Sequence, residues 1–178
     1  KKADAERKQQ AEEAFGKLPM AFEPNVGQTD PEARFLARGR GYTAFLTASG
    51  PVLSLPGAAL RTRFTGARSD VQVVGERRLP GTSNYLVGND AEKWHRDVPT
   101  YEAVRFADVY PNVDLVYYGK QSELEYDVVV RPGGDPEAVS FGIEGADQLR
   151  VDDAGDLVIE VAGRELRQPR PVVYQTGA

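Results

Sequence analysis

The chain has 178 residues, 40% of them apolar and 28% charged, with a formal net charge of −5, 18 glycines, 12 prolines and no cysteine. That length suits one domain with a sizeable core, and the lack of cysteine excludes disulfides, thiolate chemistry and cysteine metal sites within it. The acidic balance argues against nucleic acid as a partner, because phosphate binding needs a concentrated basic patch, and Arg61, Arg63, Arg77, Arg78, Arg164 and Arg170 all stand among acids.

Residues 1–17 are dominated by Ala, Glu, Lys, Gln and Arg and predict a short amino-terminal α-helix or linker, with Ala11, Ala14, Phe15 and Leu18 as a narrow apolar stripe. The chain opens on Lys1 rather than methionine, as expected of a processed or engineered amino end. From residue 18 to 178 the pattern is one of strands and turns. Residues 20–22 read as extended, and a loop bracketed by Pro24 and Pro31 follows, with a turn at Asn25-Val26-Gly27. Strands at 34–38 and 42–47 flank Gly39-Arg40-Gly41 as a hairpin, and Ser49-Gly50-Pro51 turns into a strand at 52–55. In 60–65, Leu60, Thr62 and Phe64 alternate with Arg61, Arg63 and Thr65, which sets two arginines on a wet face.

Strands are also expected at 71–76, 84–87 and 100–106, with a helical turn at 91–95 capped by Asn89 or Asp90. The most legible stretch is 109–136, a hairpin in which Leu115, Val116, Tyr117 and Tyr118 form one strand and residues 124–130 the other. There Leu124, Tyr126, Val128 and Val130 share an inner face, and Glu123, Glu125, Asp127 and Val129 an outer one. Further strands are predicted at 138–143, 148–151, 157–161, 165–168 and 171–175, with a turn at 152–156. Many short strands with frequent turn signals and no interleaved helices predict an all-β fold, an antiparallel β-sandwich or open barrel-like sheet. No run is long and apolar enough to cross a bilayer as a helix, and no membrane insertion is expected.

Candidate sites follow from residue type. His95 is the single histidine, too little for a triad or transition-metal site without partners, and it reads as part of a surface turn with Trp94. Tyr85, Trp94, Tyr101 and Tyr118 are the aromatics best placed to line a ligand groove. Alternate residues of a strand lie about 7 Å apart, so Glu125 and Asp127 also satisfy the spacing of a paired-acid glycosidase. The plainer expectation is that these acids face water and pair with Arg61 and Arg63. Asp152, Asp153 and Asp156 around Gly155, or Asn89 and Asp90 with Asp97, offer oxygens to calcium, the one cofactor considered. None of the glycine turns opens a helix, so none reads as a phosphate loop.

Four sets of motifs carry a family likeness. These are Phe22-Glu23-Pro24-Asn25-Val26-Gly27-Gln28-Thr29-Asp30; the stretch 79–94, which opens Leu79-Pro80-Gly81-Thr82-Ser83-Asn84-Tyr85; Val98-Pro99-Thr100-Tyr101 with 109–119, which opens Val109-Tyr110-Pro111-Asn112-Val113-Asp114; and 124–136, which ends Arg131-Pro132-Gly133-Gly134-Asp135-Pro136, with Pro171-Val172-Val173-Tyr174-Gln175. Over about 18–175 the chain resembles the domain of unknown function at the amino end of large secreted bacterial proteins with β-propeller (SBBP-type) repeats. The resemblance implies an exported β-rich domain at the cell surface or outside the cell, with no assigned reaction. It also implies further strands after Gln175, so that the chain is either cut there or completed by another chain. The expected function is therefore a non-catalytic structural or binding module that assembles by strand pairing with another copy or a downstream fragment of the same precursor. A carbohydrate-active enzyme and a lectin-like glycan binder are the alternatives.

Overall fold

The computed structural model describes residues 20–120 and 123–175, so the helix expected over 1–17 lies outside the described residues. The rest is all-β. In chain order come β1 (Phe22–Pro24), β2 (Ala33–Gly39), β3 (Tyr42–Thr47), β4 (Gly50–Leu55), β5 (Ala58–Phe64), β6 (Gln72–Tyr85), β7 (His95–Tyr110), β8 (Val113–Lys120), β9 (Glu123–Val130), β10 (Phe141–Glu144), β11 (Gln148–Val151), β12 (Leu157–Val161) and β13 (Arg164–Gln168).

Ten of these strands form one antiparallel sheet in the order β10-β5-β4-β3-β2-β1-β7-β8-β9, with β6 attached to β7. A separate antiparallel sheet holds β11, β12 and β13. Strand β7 organises the large sheet. At Tyr101 it pairs with Phe22 on one side and with Arg78 of β6 on the other, and its residues from Ala103 onward then pair with β8. One side of β7 is thus shared end to end by β1 and β8, and the other belongs to β6.

The sheet curls into a half-barrel whose two end strands meet through side chains rather than a ladder. Five rings close this circuit: Phe64 on β5, Phe106 on β7, Tyr117 on β8, Tyr126 on β9 and Phe141 on β10, each within 5.4–5.9 Å of the next. Tilted and edge-on pairs of this kind add about 0.5–1.5 kcal/mol each beyond the apolar area they bury. Beside them the Tyr110 hydroxyl donates to the Ser140 carbonyl at 2.8 Å and accepts from the Ser140 amide at 3.3 Å. Phe22, Leu46, Val104, Val109, Val113 and Leu115 fill the interior. Of the two all-β forms expected from the sequence, the large sheet takes the open barrel-like one.

Several boundaries differ from expectation. The pieces predicted at 71–76 and 84–87 are one bent strand, β6, because β-bulges between Arg78 and Thr82 and between Ser83 and Tyr85 carry it past Pro80-Gly81. Leu86 and Val87 fall outside it and are exposed. Asp90 does cap a helical turn, accepting from the Glu92 amide, but the turn ends at Lys93, and His95 begins a 16-residue strand in place of the short one predicted at 100–106. Likewise 138–143 divides into a 3-10 turn, Pro136–Ala138, capped by Asp135, and β10. Residues 171–175 are not a strand. Val128 and Val130, expected on the covered face, are 38% and 40% exposed, because β9 ends the sheet and no described strand pairs with its outer edge.

Candidate functional site

The four predicted groove aromatics occupy different settings. Tyr85 pairs with His95, six residues along β7 from Tyr101, a separation of about 20 Å at the rise of an extended strand. Trp94, next to His95, donates its indole N–H to the Gly88 carbonyl at 3.1 Å and lies under the Arg96 guanidinium. Tyr101 packs edge-on against Phe35 and spreads over Gly75, where a Cβ would stand 2.6 Å from its ring. Glycine at 75 is what makes room for it. Tyr118 borders a hollow of about 210 Å³ with Met20, Leu79, Gly119 and the ion pair Arg77–Glu102 (2.8 Å). The four therefore do not form one groove.

A polar cluster that the sequence reading did not single out sits where β1, β2 and β6 meet. Glu23 is 7% exposed; one of its oxygens takes Arg38 Nη1 at 2.9 Å, the other accepts the Tyr85 hydroxyl, and that hydroxyl accepts from Arg38 Nη2 at 2.8 Å. Burial, then the bond to Glu23, push the Tyr85 phenol above its ordinary pKa. Next door, Asn25 binds the carbonyls of Asp30 (2.7 Å) and Ala33 (3.0 Å) and accepts the Gly27 amide (3.0 Å), which shapes the whole loop from one side chain. Gly27, at φ +113°, lies against His95. A motif of Glu, Asn and Gly in an otherwise apolar run was the available signal. Since each oxygen of Glu23 and Tyr85 already has a partner, this arrangement clamps the tip of β6 to the first hairpin.

Residues of the third and fourth motif sets build a similar anchor. Asp114, buried on β8, receives Arg105 Nη1 at 3.0 Å, Arg131 Nη2 at 3.2 Å and the Asp108 amide at 2.8 Å. Asp108 and Asn112 both hold positive φ, and the Arg131 amide donates to the Asn112 carbonyl at 2.9 Å, so the turn and the Arg131-Pro132-Gly133 segment lock together.

The acid row on β9 is also engaged, though not by the expected arginines. Arg63 pairs with Glu144 on β10 at 2.5 Å, at the opposite end of the sheet path. Glu125 instead faces Lys120 at 3.6 Å, and Asp127 accepts the hydroxyls of Tyr118 (3.1 Å) and Tyr174 (3.2 Å). Burial, followed by the bond to Asp127, pushes the Tyr118 phenol up to about 12. In the small sheet, Asp152 accepts the amides of Ala154 (2.9 Å) and Asp156 (3.0 Å) and pairs with Arg167, Asp156 accepts the Arg170 amide at 3.0 Å, and Asp153 points to solvent. Bonds to these amides, that of Asp156 first, and to Arg167 hold the Asp152 carboxyl below its usual range. Among the described residues no three His, Cys, Asp or Glu side chains converge as a metal ion would need.

Among the described residues, the outer edge of β9 has no partner strand. Residues 169–175 follow β13 without joining a strand. They carry Val172 (81% exposed), Val173 (94%) and Tyr174, while the adjoining edge carries Val128 and Val130. Among the described residues, exposed apolar side chains thus lie beside a strand edge that no other strand covers.

Nothing among curated proteins and nothing among solved structures matches the chain. Residues 22–178 match the family described as a domain of unknown function, DUF7948, and the chain belongs to that family.

Proposed function

We propose that this DUF7948 domain is a non-catalytic assembly module that binds an extended polypeptide segment at the open edge of its half-barrel. The observation that carries the reading is the apolar end of β9, unpaired among the described residues. A strand added there satisfies backbone groups and covers valine side chains in one step. The family motifs support it, since Glu23, Asn25 and Asp114 serve turns and clamps within the fold and leave surface recognition as the remaining role. Export to the cell surface as the leading domain of an SBBP-type repeat protein rests on the sequence resemblance.

Hydrogen exchange tests the binding. The amides of Tyr126, Val128 and Val130 exchange fast in the isolated domain and become protected when a second copy or an extended apolar peptide is supplied. If neither supplied strand slows them, the reading fails. Protease shaving of intact cells tests export, and a domain that is cut only after lysis refutes it. The hollow beside Tyr118, with an aromatic wall and the Arg77–Glu102 pair, favours a lectin-like second reading, which a glycan array checks.

A further inference from the structure

The hydrogen bonds of β9 identify which of its groups face outward. The Leu124 amide leaves the ladder and donates to the Tyr42 hydroxyl at 2.9 Å, so residues of the same parity, Tyr126, Val128 and Val130, turn their N–H and C=O groups away from β8. Among the described residues none of those three amides has a partner. Strand edges are ordinarily guarded by proline, lysine or a bulge. The edge of β6 has both a bulge and Pro80, whereas 126–130 of β9 has no such guard.

The neighbouring segment has the complementary defect. Gln168 holds the Tyr126 hydroxyl at 2.6 Å and Tyr174 holds Asp127 at 3.2 Å. Tyr126 and Asp127 are consecutive and point to opposite faces, so the intervening residues run across β9 and cannot ladder with it. Pro169 and Pro171 lack amides, and the Arg170 amide is spent on Asp156. Val172 is therefore the first residue free to pair. From there, Val172 and Val173 stand exposed outside any strand of the described residues, held next to β9 by the Tyr174 bond to Asp127 at 3.2 Å. The charges also match: Arg170 precedes this segment, and the side chains flanking the β9 edge are Glu125 and Asp127.

We infer that two copies of this chain exchange these elements, each laying residues 172–175 along 126–130 of its partner's β9. Such an exchange is isologous, since donor and acceptor lie side by side in each copy. It depends on the strand-addition reading above and names its occupant.

The test is light scattering on the full chain over a concentration series, with Val173→Asp and Val128→Pro. The wild type runs at twice the 19.5 kDa of one chain at high concentration. Val173→Asp alters a fully solvated side chain, keeps the fold, and weakens the dimer at least about tenfold. Val128→Pro removes an outward amide that makes no bond to β8, and weakens it similarly. A dimer indifferent to either change overturns the exchange. So does a monomeric wild type, and hydrogen exchange then separates the two ideas: protection of 126–130 by an added apolar peptide preserves edge binding, and none ends both.

Discussion

Removing the Asp114 carboxylate gives the sharpest test of how the family motifs work. In Asp114→Ala the Asp108 amide, held in a left-handed turn, loses its acceptor, which costs about 1–3 kcal/mol when the group stays buried. Arg105 and Arg131 lose their shared partner, but Arg105 keeps Glu76 at 2.5 Å and Arg131 keeps Asp108, and both guanidiniums reach water. Their share is therefore well below the 3–5 kcal/mol of a fully buried broken pair. The sum is about 3 kcal/mol, or a melting point about 6–12 °C lower for a chain of this size. Urea unfolding followed by far-ultraviolet circular dichroism measures it. Asp114→Asn, which retains an oxygen for the Asp108 amide, should recover about 1 kcal/mol. Arg63→Ala, which breaks the exposed pair with Glu144, should cost under about 1 kcal/mol. An Asp114→Ala loss as small as that of Arg63→Ala would refute the reasoning, because the network would then be surface decoration.

Other outcomes follow from the same geometry. Gly50→Ala places a Cβ 2.1 Å from the Thr62 carbonyl oxygen at φ +132° and should cost at least about 3 kcal/mol by prising β4 from β5, whereas Gly57→Ala, at φ +81° in open space, should cost about 1–2 kcal/mol in the same urea series. Phe141→Ala removes the ring joining Tyr126 to Phe64 and should cost about 2–3 kcal/mol and loosen β10; near-ultraviolet dichroism that stays unchanged would count against closure by aromatic packing. The Tyr118 phenol, raised from 10.0 to about 12 by burial and then by Asp127, keeps its proton in the fold at a pH where the unfolded chain has ionised. Its stabilisation is thus complete below pH 10.0 and lost as pH rises through about 12. Ultraviolet titration of phenolate absorbance should lose one of its late-titrating phenols in Tyr118→Phe, while the buried Tyr117 phenol stays late, and Asp127→Asn should shift the Tyr118 phenol downward.

The sequence alone determined the fold class and the β8–β9 hairpin. Period-two alternation through 60–65 and 124–130, the apolar run of β8, and Pro and Gly at the turns are local properties, read from a few neighbouring residues. Local signals erred where context outweighs propensity. Pro80-Gly81 reads as a break, yet β6 passes it on bulges because a full-length β7 lies alongside to pair with, and Val172 and Val173 read as strand but pair with no strand among the described residues. Only tertiary structure decided that Glu23, Arg38 and Tyr85, or Asp108, Asp114 and Arg131, come together, that Arg63 meets Glu144 rather than the acids of β9, and that β9 ends the strand path of the described sheet. The physical reason is that alternation says which face of a strand is wet, while strand order and edges depend on contacts between residues far apart in the chain.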